Sequence, residues 1–191
     1  MGAGNYTTRS LYREMTFGGV RDEPMIDLWG CKVPVKVQIF VWMVFHDRIQ
    51  ATAQLKKRKW RGSDKCKLCD HLETTSHIIF QCSIALFLWI YIKENLNLTT
   101  NPLDCDSMYQ DLLSALPAKK RKMFFAIFAG AMWTLWKIRN DFVFNDKLLA
   151  APEAAVYKLL ANLKNWKILT REEDQPTWKE FMAKLEAGVQ R

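Results

Sequence analysis

Four potential metal ligands lie within one short stretch of the chain, residues 65–82, which reads KCKLCDHLETTSHIIFQC. Cys66, Cys69, His77 and Cys82 form the pattern C-x2-C-x7-H-x4-C. Three thiolates and one imidazole suit a tetrahedral zinc ion, and the two-residue gap lets the first two cysteines reach one ion from a tight turn. Because protein would fill all four coordination positions, the pattern predicts a structural zinc site and not a catalytic one.

Two alternatives to this ligand set stay open at the level of sequence. His71 is a rival fourth ligand, although it follows Cys69 by only two residues and would strain the loop. The cysteines could also be ordinary half-buried side chains, since free Cys is often buried. Their clustering in a polar, lysine-rich turn argues against that interpretation. The third histidine, His46, follows an apolar segment and is expected to have no metal role.

The spacing of the last two ligands predicts a local change in backbone structure. Five residues on a continuous α-helix rotate a side chain by about 500°, which leaves His77 and Cys82 about 140° apart. The helix that carries them must therefore end or distort near Cys82.

The composition indicates a globular protein with reduced thiols. The chain has 191 residues, of which 49% are hydrophobic, enough for one core or two small lobes. Its five cysteines are an odd number and lack disulfide spacing, so we expect a reducing compartment, the nucleus or the cytoplasm. Arg9 and Arg13 faintly suggest a mitochondrial presequence. The longest apolar run, residues 123–136, is shorter than the roughly 18 to 20 residues that span a bilayer, so no membrane association is expected.

Apolar spacing predicts an all-α fold without strands. The expected arrangement is a helical N-terminal half that contains a zinc knuckle, residues 1–97, packed on a C-terminal helical bundle, residues 98–191. Thr52 is expected to cap a helix that begins at residue 53, and Gly130 is expected to permit close packing of the long helix over residues 118–145. Helices are predicted over residues 34–48, 53–59, 84–96, 106–116 and 118–145, and two more begin at Pro152 and Pro176.

Several segments match one known family in order along the chain. They are YTTRSLY at residues 6–12, LWGCKVPVKVQIFVW at residues 28–42, RIQATAQLKKRKW at residues 48–60, the cysteine cluster, and Trp89. Together they resemble the reverse-transcriptase zinc-binding domain found near the C-terminal end of plant non-LTR (LINE-type) retrotransposon polyproteins. A further W-x2-W-x2-R-N signature, at Trp133, Trp136, Arg139 and Asn140, looks like the helical tail that follows in the same polyproteins.

The resemblance implies a separated, non-catalytic accessory module. Ser83 departs from the family, which usually has proline directly after the last cysteine. No Asp-Asp pair or carboxylate set for two metal ions is recognisable, and neither a Ser-His-Asp arrangement nor a Gly-rich phosphate loop is present. We therefore expect neither catalysis nor a small-molecule substrate.

The charge of the chain points to an acidic partner. It carries 28 Lys and Arg against 20 Asp and Glu, a net charge of +8. A nucleic acid is the first candidate partner, and the alternative is a protein partner, in which case the chain acts as a domesticated host adaptor. The bland interpretation of the same charges is a solvated basic face with Trp60 packed inward. The residues predicted to bind nucleic acid are Lys56, Lys57, Arg58, Lys59, Trp60, Arg61, Lys65 and Lys67.

Overall fold

The computed structural model describes Thr7, Thr8, Ser10, residues 22–98 and residues 102–189, without the side chains of residues 112–115, 118 and 119. Within these ranges the chain is helical, and an isolated β-bridge joins Lys65 to Leu72. The all-α prediction is thus confirmed. The helices are α1 (Glu23–Gly30), α2 (Val35–Phe45), α3 (Thr52–Lys57), α4 (Ser83–Leu96), α5 (Cys105–Ala115), α6 (Ala118–Asn145), α7 (Glu153–Trp166) and α8 (Gln175–Val189). A π-helical turn, His77–Gln81, precedes α4, and two short 3-10 turns, Lys167–Leu169 and Glu172–Asp174, join α7 to α8.

The long helix α6 lies at the centre of the molecule. It contacts α1, α2, α4, α5, α7 and the π-helical turn. Its apolar stripe is buried along its whole length and consists of Phe124, Phe128, Ala131, Leu135 and Ile138. One apolar core therefore includes residues from both halves of the chain. The division at residue 97 stays a prediction.

Gly130 sets the distance between α6 and α7. A Cβ atom built on it would lie 3.0 Å from a methyl group of Leu163 and 3.1 Å from one of Leu159. Any larger side chain would push these leucines, so the absence of a Cβ permits the close packing that the sequence predicts.

Local signals explain where four of the described helices begin. Asp104 and Ser107 form a reciprocal capping box at the start of α5, and the side chain of Asp22 caps α1. Pro117 and Pro152 directly precede α6 and α7, where a missing N–H costs no helical hydrogen bond.

Two features of the N-terminal half differ from the sequence predictions. Helix α1 was not predicted, although Asp22 caps it and Pro24 lies in its first turn. The predicted cap at Thr52 is wrong: α3 begins at Thr52 itself, and the Thr52 hydroxyl donates to the carbonyl oxygen of Asp64 at 3.0 Å. The hydroxyl thus joins two segments and does not close a helix end.

Some of the sequence predictions concern residues that the structure does not describe, and one concerns membrane association. Four of the seven residues of the YTTRSLY segment, Tyr6, Arg9, Leu11 and Tyr12, lie outside the described residues, as does Arg13. In the part of the chain that is described, no helix has the length and apolar character needed to cross a membrane.

Candidate metal centre

The first two candidate ligands lie on a tight backbone turn. The Cys66 N–H donates to the carbonyl oxygen of His71 at 2.7 Å, and the Asp70 N–H donates to the carbonyl oxygen of Cys66 at 2.9 Å. Asp70 adopts a left-handed conformation with φ 61°, which suits an Asp residue better than most others. We call this turn, together with the following residues to Cys82, the knuckle (residues 64–82).

The other two candidate ligands lie on either side of the π-helical turn. The Cys82 N–H donates to the carbonyl oxygen of His77 at 2.8 Å, an i→i+5 bond in place of the i→i+4 bond of an α-helix. Such a bond places the two residues about one turn apart, on the same side. Cys82 is then extended, with ψ 148°, before α4 begins at Ser83. The predicted distortion near Cys82 is therefore present, and it forms with serine in place of the family's usual proline.

The four side chains converge on one point. Their ligand atoms all lie within 4.8 Å of one another, with Cys66 Sγ 4.0 Å from Cys82 Sγ and Cys69 Sγ 3.2 Å from His77 Nε2. A tetrahedral zinc ion with ordinary bond lengths needs edges of about 3.8 Å between sulfurs and about 3.6 Å from sulfur to nitrogen. The donor set and its spacing therefore fit zinc. All three thiols are free of disulfide bonds.

The interaction between two of the thiols favours a charged ligand. Hydrogen bonding with the Cys82 thiol lowers the pKa of Cys66 to about 4. The same bond, together with burial, raises the pKa of Cys82 above its usual range. Burial also raises the pKa of Cys69. One thiolate is thus already stabilised, and a dication would favour ionisation of the other two.

The remaining cysteines and histidines lie outside this group. The His71 ring lies 5.9 Å from the His77 ring, and its Nδ1 contacts the carbonyl oxygen of Cys69 at 2.9 Å. His46 contacts the carbonyl oxygen of Trp42. Burial raises the pKa of both Cys31 and Cys105 to about 12, so neither is a reactive thiolate near neutral pH.

Comparison with known proteins finds similarity over the segment that contains the four candidate ligands. A family model described as zinc-binding in reverse transcriptase matches residues 6–89. The resemblance to that family is confirmed. An Arabidopsis thaliana protein named as a ribonuclease H protein is 23% identical over 151 residues, or 75% of this chain. The match covers 24% of that relative, so the chain spans about a quarter of its length. No solved structure matches the chain.

A buried ion pair that the sequence did not reveal holds the knuckle against α6. The guanidinium of Arg139 meets the carboxylate of Glu73 through two bonds, Nη2 to Oε1 at 2.5 Å and Nε to Oε2 at 3.3 Å. The Glu73 side chain is only 1% exposed and that of Arg139 9%. The knuckle is therefore bonded to the W-x2-W-x2-R-N signature as well as to its own ligands.

Glu73 also joins the knuckle to α3. Its Oε1 accepts from the Thr52 N–H at 3.2 Å, and its carbonyl oxygen accepts from the Ala53 N–H at 3.1 Å. The sequence signal for Glu73 was weak, because one acidic residue in ETTSH reads as an ordinary surface position.

The signature residues join α6 to both the knuckle and α2. Arg139 ties down the knuckle, whereas the Asn140 side chain accepts a bond only from Arg139 among the contacts described. Trp133 and Trp136 are half-buried. Both pack on Phe40 of α2, with ring centroids 5.3 Å and 5.7 Å apart. The signature is thus a contact between the two halves of the chain.

The eight residues predicted to bind nucleic acid are all exposed, and we call them the basic face. They are Lys56, Lys57, Arg58, Lys59, Trp60, Arg61, Lys65 and Lys67. Three of the lysines contact carboxylates: Lys57 is 4.0 Å from Asp47, Lys65 is 2.9 Å from Asp70, and Lys67 is 2.5 Å from Asp146. For the other four cations, no carboxylate of the described ranges lies within 4.0 Å; these are Lys56, Arg58, Lys59 and Arg61.

Proposed function

We propose that this chain is a non-catalytic, retrotransposon-derived zinc module that binds single-stranded nucleic acid through its basic face. Cys66, Cys69, His77 and Cys82 would hold the zinc ion, which cross-links the knuckle. With protein in every coordination position, the ion offers no place for a reacting water, so its role is to position the chain.

The observation that carries this proposal is the grouping of unpaired cations around an exposed aromatic ring. Lys59 and Arg61 flank Trp60, which is 44% exposed, and none of the carboxylates described neutralises them. Phosphates would supply the missing counter-charge. The C-terminal dipole of α3 also favours Lys56 and Lys57, but that effect falls off within one turn and leaves Lys59 and Arg61 unexplained.

Gly62 supports one side of the Trp60 ring. A Cβ on Gly62 would lie 2.0 Å from the Trp60 ring, so the ring rests directly on the Gly62 backbone. If the basic face were only a solvated surface, Trp60 would pack inward, but its ring is only partly buried. A ring supported on one side and open on the other suits stacking with an unpaired base.

Zinc would support the basic face through backbone contacts. At the start of α3, the Thr52 hydroxyl donates to the carbonyl oxygen of Asp64, and the Ala53 N–H donates to the carbonyl oxygen of Glu73. Loss of the knuckle would release α3 and the cations that follow it. We therefore expect nucleic-acid binding to require zinc.

The test is a salt titration of the zinc-loaded chain with a fluorescently labelled single-stranded RNA of mixed sequence. Four phosphate contacts predict a slope of log K against log salt of about −3, from about −0.7 per contact on single strands. Arg58→Met should make the slope less steep by about 0.7. Trp60→Ala should weaken binding by about 1 to 3 kcal/mol at each salt concentration and leave the slope unchanged.

The matched control is Lys137→Met, which removes an exposed cation on α6 outside the basic face. It should leave both affinity and slope as they are in the unsubstituted protein. Affinity that is independent of salt, or an equal loss from Lys137→Met and Arg58→Met, would overturn the proposal.

Exposed apolar side chains favour a protein partner as a second candidate. Ile26 and Trp29 of α1 are 48% and 51% exposed, and Val35 and Ile39 of α2 are 65% and 46% exposed. Aromatic residues at such positions are typical interface anchors. A partner that stays bound after nuclease treatment, and is lost with Trp29→Ala but not with Arg58→Met, would favour an adaptor over the nucleic-acid module.

A further inference from the structure

The last turn of α6 leaves an aromatic ring at the surface. Phe144 is 71% exposed, more than any other aromatic side chain that the structure describes. Single exposed apolar residues are common on protein surfaces and need no explanation by themselves. Phe144 differs from such residues because it lies beside the basic face and because its ring rests on a buried cation.

The end of α6 lies directly against the knuckle. Lys67, a residue of the basic face, places its Nζ 5.1 Å from the centre of the Phe142 ring and 3.4 Å from the Phe142 carbonyl oxygen. The same Nζ lies 2.5 Å from the carboxylate of Asp146. Phe144 is two positions from each of these contact residues, so it lies within one helical turn of the basic face.

One side of the Phe144 ring rests on a guanidinium group. The Cζ atom of Arg139 lies 5.7 Å from the centre of the Phe144 ring and 5.3 Å from the centre of the Trp136 ring. A cation at such a distance over a ring is attracted to it. The buried ion pair with Glu73 fixes this guanidinium in place. The ring is therefore supported from below and open to solvent on its other side.

The carboxylates at this end of α6 already have partners. Asp146 pairs with Lys67, and Asp141 lies 3.7 Å from the ammonium group of Lys158. Lys147 is exposed, and none of the ion pairs among the described residues includes it. The negative end of the α6 dipole favours cations at this position, but it does not account for an exposed aromatic ring.

We infer that Phe144 is a second base-stacking platform for the single strand that the basic face binds. The inference rests on the proposed function and extends it. One base stacks on Trp60 and another on Phe144, while cations of the basic face meet phosphates of the same strand. Every base has a π-face, so two such platforms select unpaired strands of mixed sequence. A fully paired duplex offers neither ring a free base.

The first test compares Phe144 variants in the salt titration with single-stranded RNA. Phe144→Ala should weaken binding about 5- to 150-fold, the range for loss of one base–aromatic stack. Phe144→Tyr keeps a ring and should bind as the unsubstituted protein does, whereas Phe144→Leu keeps only apolar bulk and should stay weak. The slope of log K against log salt should not change, because no charge is removed.

Two controls separate stacking from a general effect of the substitution. Tyr157→Leu removes another exposed ring, in the groove between α7 and α8, and should leave affinity unchanged. Phe144→Ala should also leave binding to a duplex of the same sequence unchanged. Equal losses for the duplex and the single strand, or an equal loss in Phe144→Tyr and Phe144→Ala, would overturn the second platform.

Photo-crosslinking tests the contact directly. RNA that contains iodouracil is irradiated with the zinc-loaded chain, and the crosslinked residues are located by tandem mass spectrometry. We expect crosslinks at Trp60 and Phe144 and none at Tyr157. Crosslinks at Trp60 alone, with full affinity in Phe144→Ala, would overturn the second platform and leave the nucleic-acid proposal in place. Binding of the unsubstituted chain that is independent of salt would overturn both.

Discussion

The knuckle and the helices packed around α6 are held together by different kinds of interaction. Around α6, buried aromatic and aliphatic side chains interdigitate, and Gly130 lets two backbones approach. In the knuckle, four metal-ligand side chains, backbone bonds and one buried ion pair add to the apolar contacts that Ile78, Ile79 and Phe80 make with the core. The helical region should therefore depend mainly on its apolar packing, whereas the knuckle should depend mainly on its metal ligands and on the Glu73–Arg139 ion pair.

Removal of one zinc ligand should have the largest effect on stability, and that effect should be confined to the knuckle. Structural zinc contributes an apparent binding free energy of roughly 10 to 16 kcal/mol near neutral pH, more than many domains have in total. Cys66→Ser should release the metal and expose backbone amides of the knuckle to hydrogen exchange. Amides of α6, α7 and α8 should stay protected.

The control for that experiment is Cys105→Ser, which removes a thiol outside the ligand group. It should retain one zinc per chain by metal analysis. Global loss of protection in Cys66→Ser would show that the two regions unfold as one unit and that the comparison is false.

Breaking the buried ion pair should have the next largest effect. Arg139→Met leaves the Glu73 carboxylate buried without its partner, which should cost about 3 to 5 kcal/mol of unfolding free energy. The double variant Glu73→Met with Arg139→Met should recover most of that loss, since no unpaired charge remains. Urea unfolding of the three proteins measures both effects.

A surface pair serves as the comparison for that cycle. Lys158 lies 3.7 Å from Asp141 with its side chain 48% exposed, so Lys158→Met should cost less than about 1 kcal/mol. An equally small cost for Arg139→Met would mean that the Glu73 pair is solvated in solution.

Overpacking between α6 and α7 should destabilise the protein less than loss of the buried ion pair. Its effect should be confined to the helical region. Gly130→Val places a branched side chain against Leu159 and Leu163, which should cost about 1 to 3 kcal/mol. Leu159→Ala makes room, so its cost should be lower in the Gly130→Val background than in the unsubstituted protein. Additive costs by urea unfolding would show that the two residues are not in contact.

The smallest effect is expected from the link between the knuckle and the end of α6 at the surface. Lys67 meets Asp146, and its side chain is 46% exposed. Lys67→Met should therefore cost less than about 1 kcal/mol, and salt should reduce even that. A loss similar to that of Arg139→Met would place the main attachment of the knuckle at the surface.

The features predictable from sequence are those with a local cause. The spacing of Cys66, Cys69, His77 and Cys82 predicted their convergence, and the separation of five positions between His77 and Cys82 predicted the distortion before α4. Proline positions predicted where α6 and α7 begin to within one residue. Each of these depends on residues that are neighbours in the chain.

The features that sequence missed depend on distant residues. Glu73 and Arg139 are 66 positions apart, and nothing in ETTSH shows that its glutamate is buried. Thr52 reads as a helix cap, but the carbonyl of Asp64 competes for its hydroxyl.

The ion pair between Glu73 and Arg139 has a consequence for how much of the chain can exist alone. The family match ends at residue 89, and the predicted N-terminal half ends at residue 97. A fragment cut at either position keeps the buried carboxylate and discards the arginine that neutralises it. We expect such a fragment to be poorly folded even with zinc, and a fragment that extends through the end of α6 to be the smallest autonomous unit. The boundary of the sequence family and the boundary of a self-sufficient protein would then differ by 56 residues, the distance from the end of the match to the end of α6.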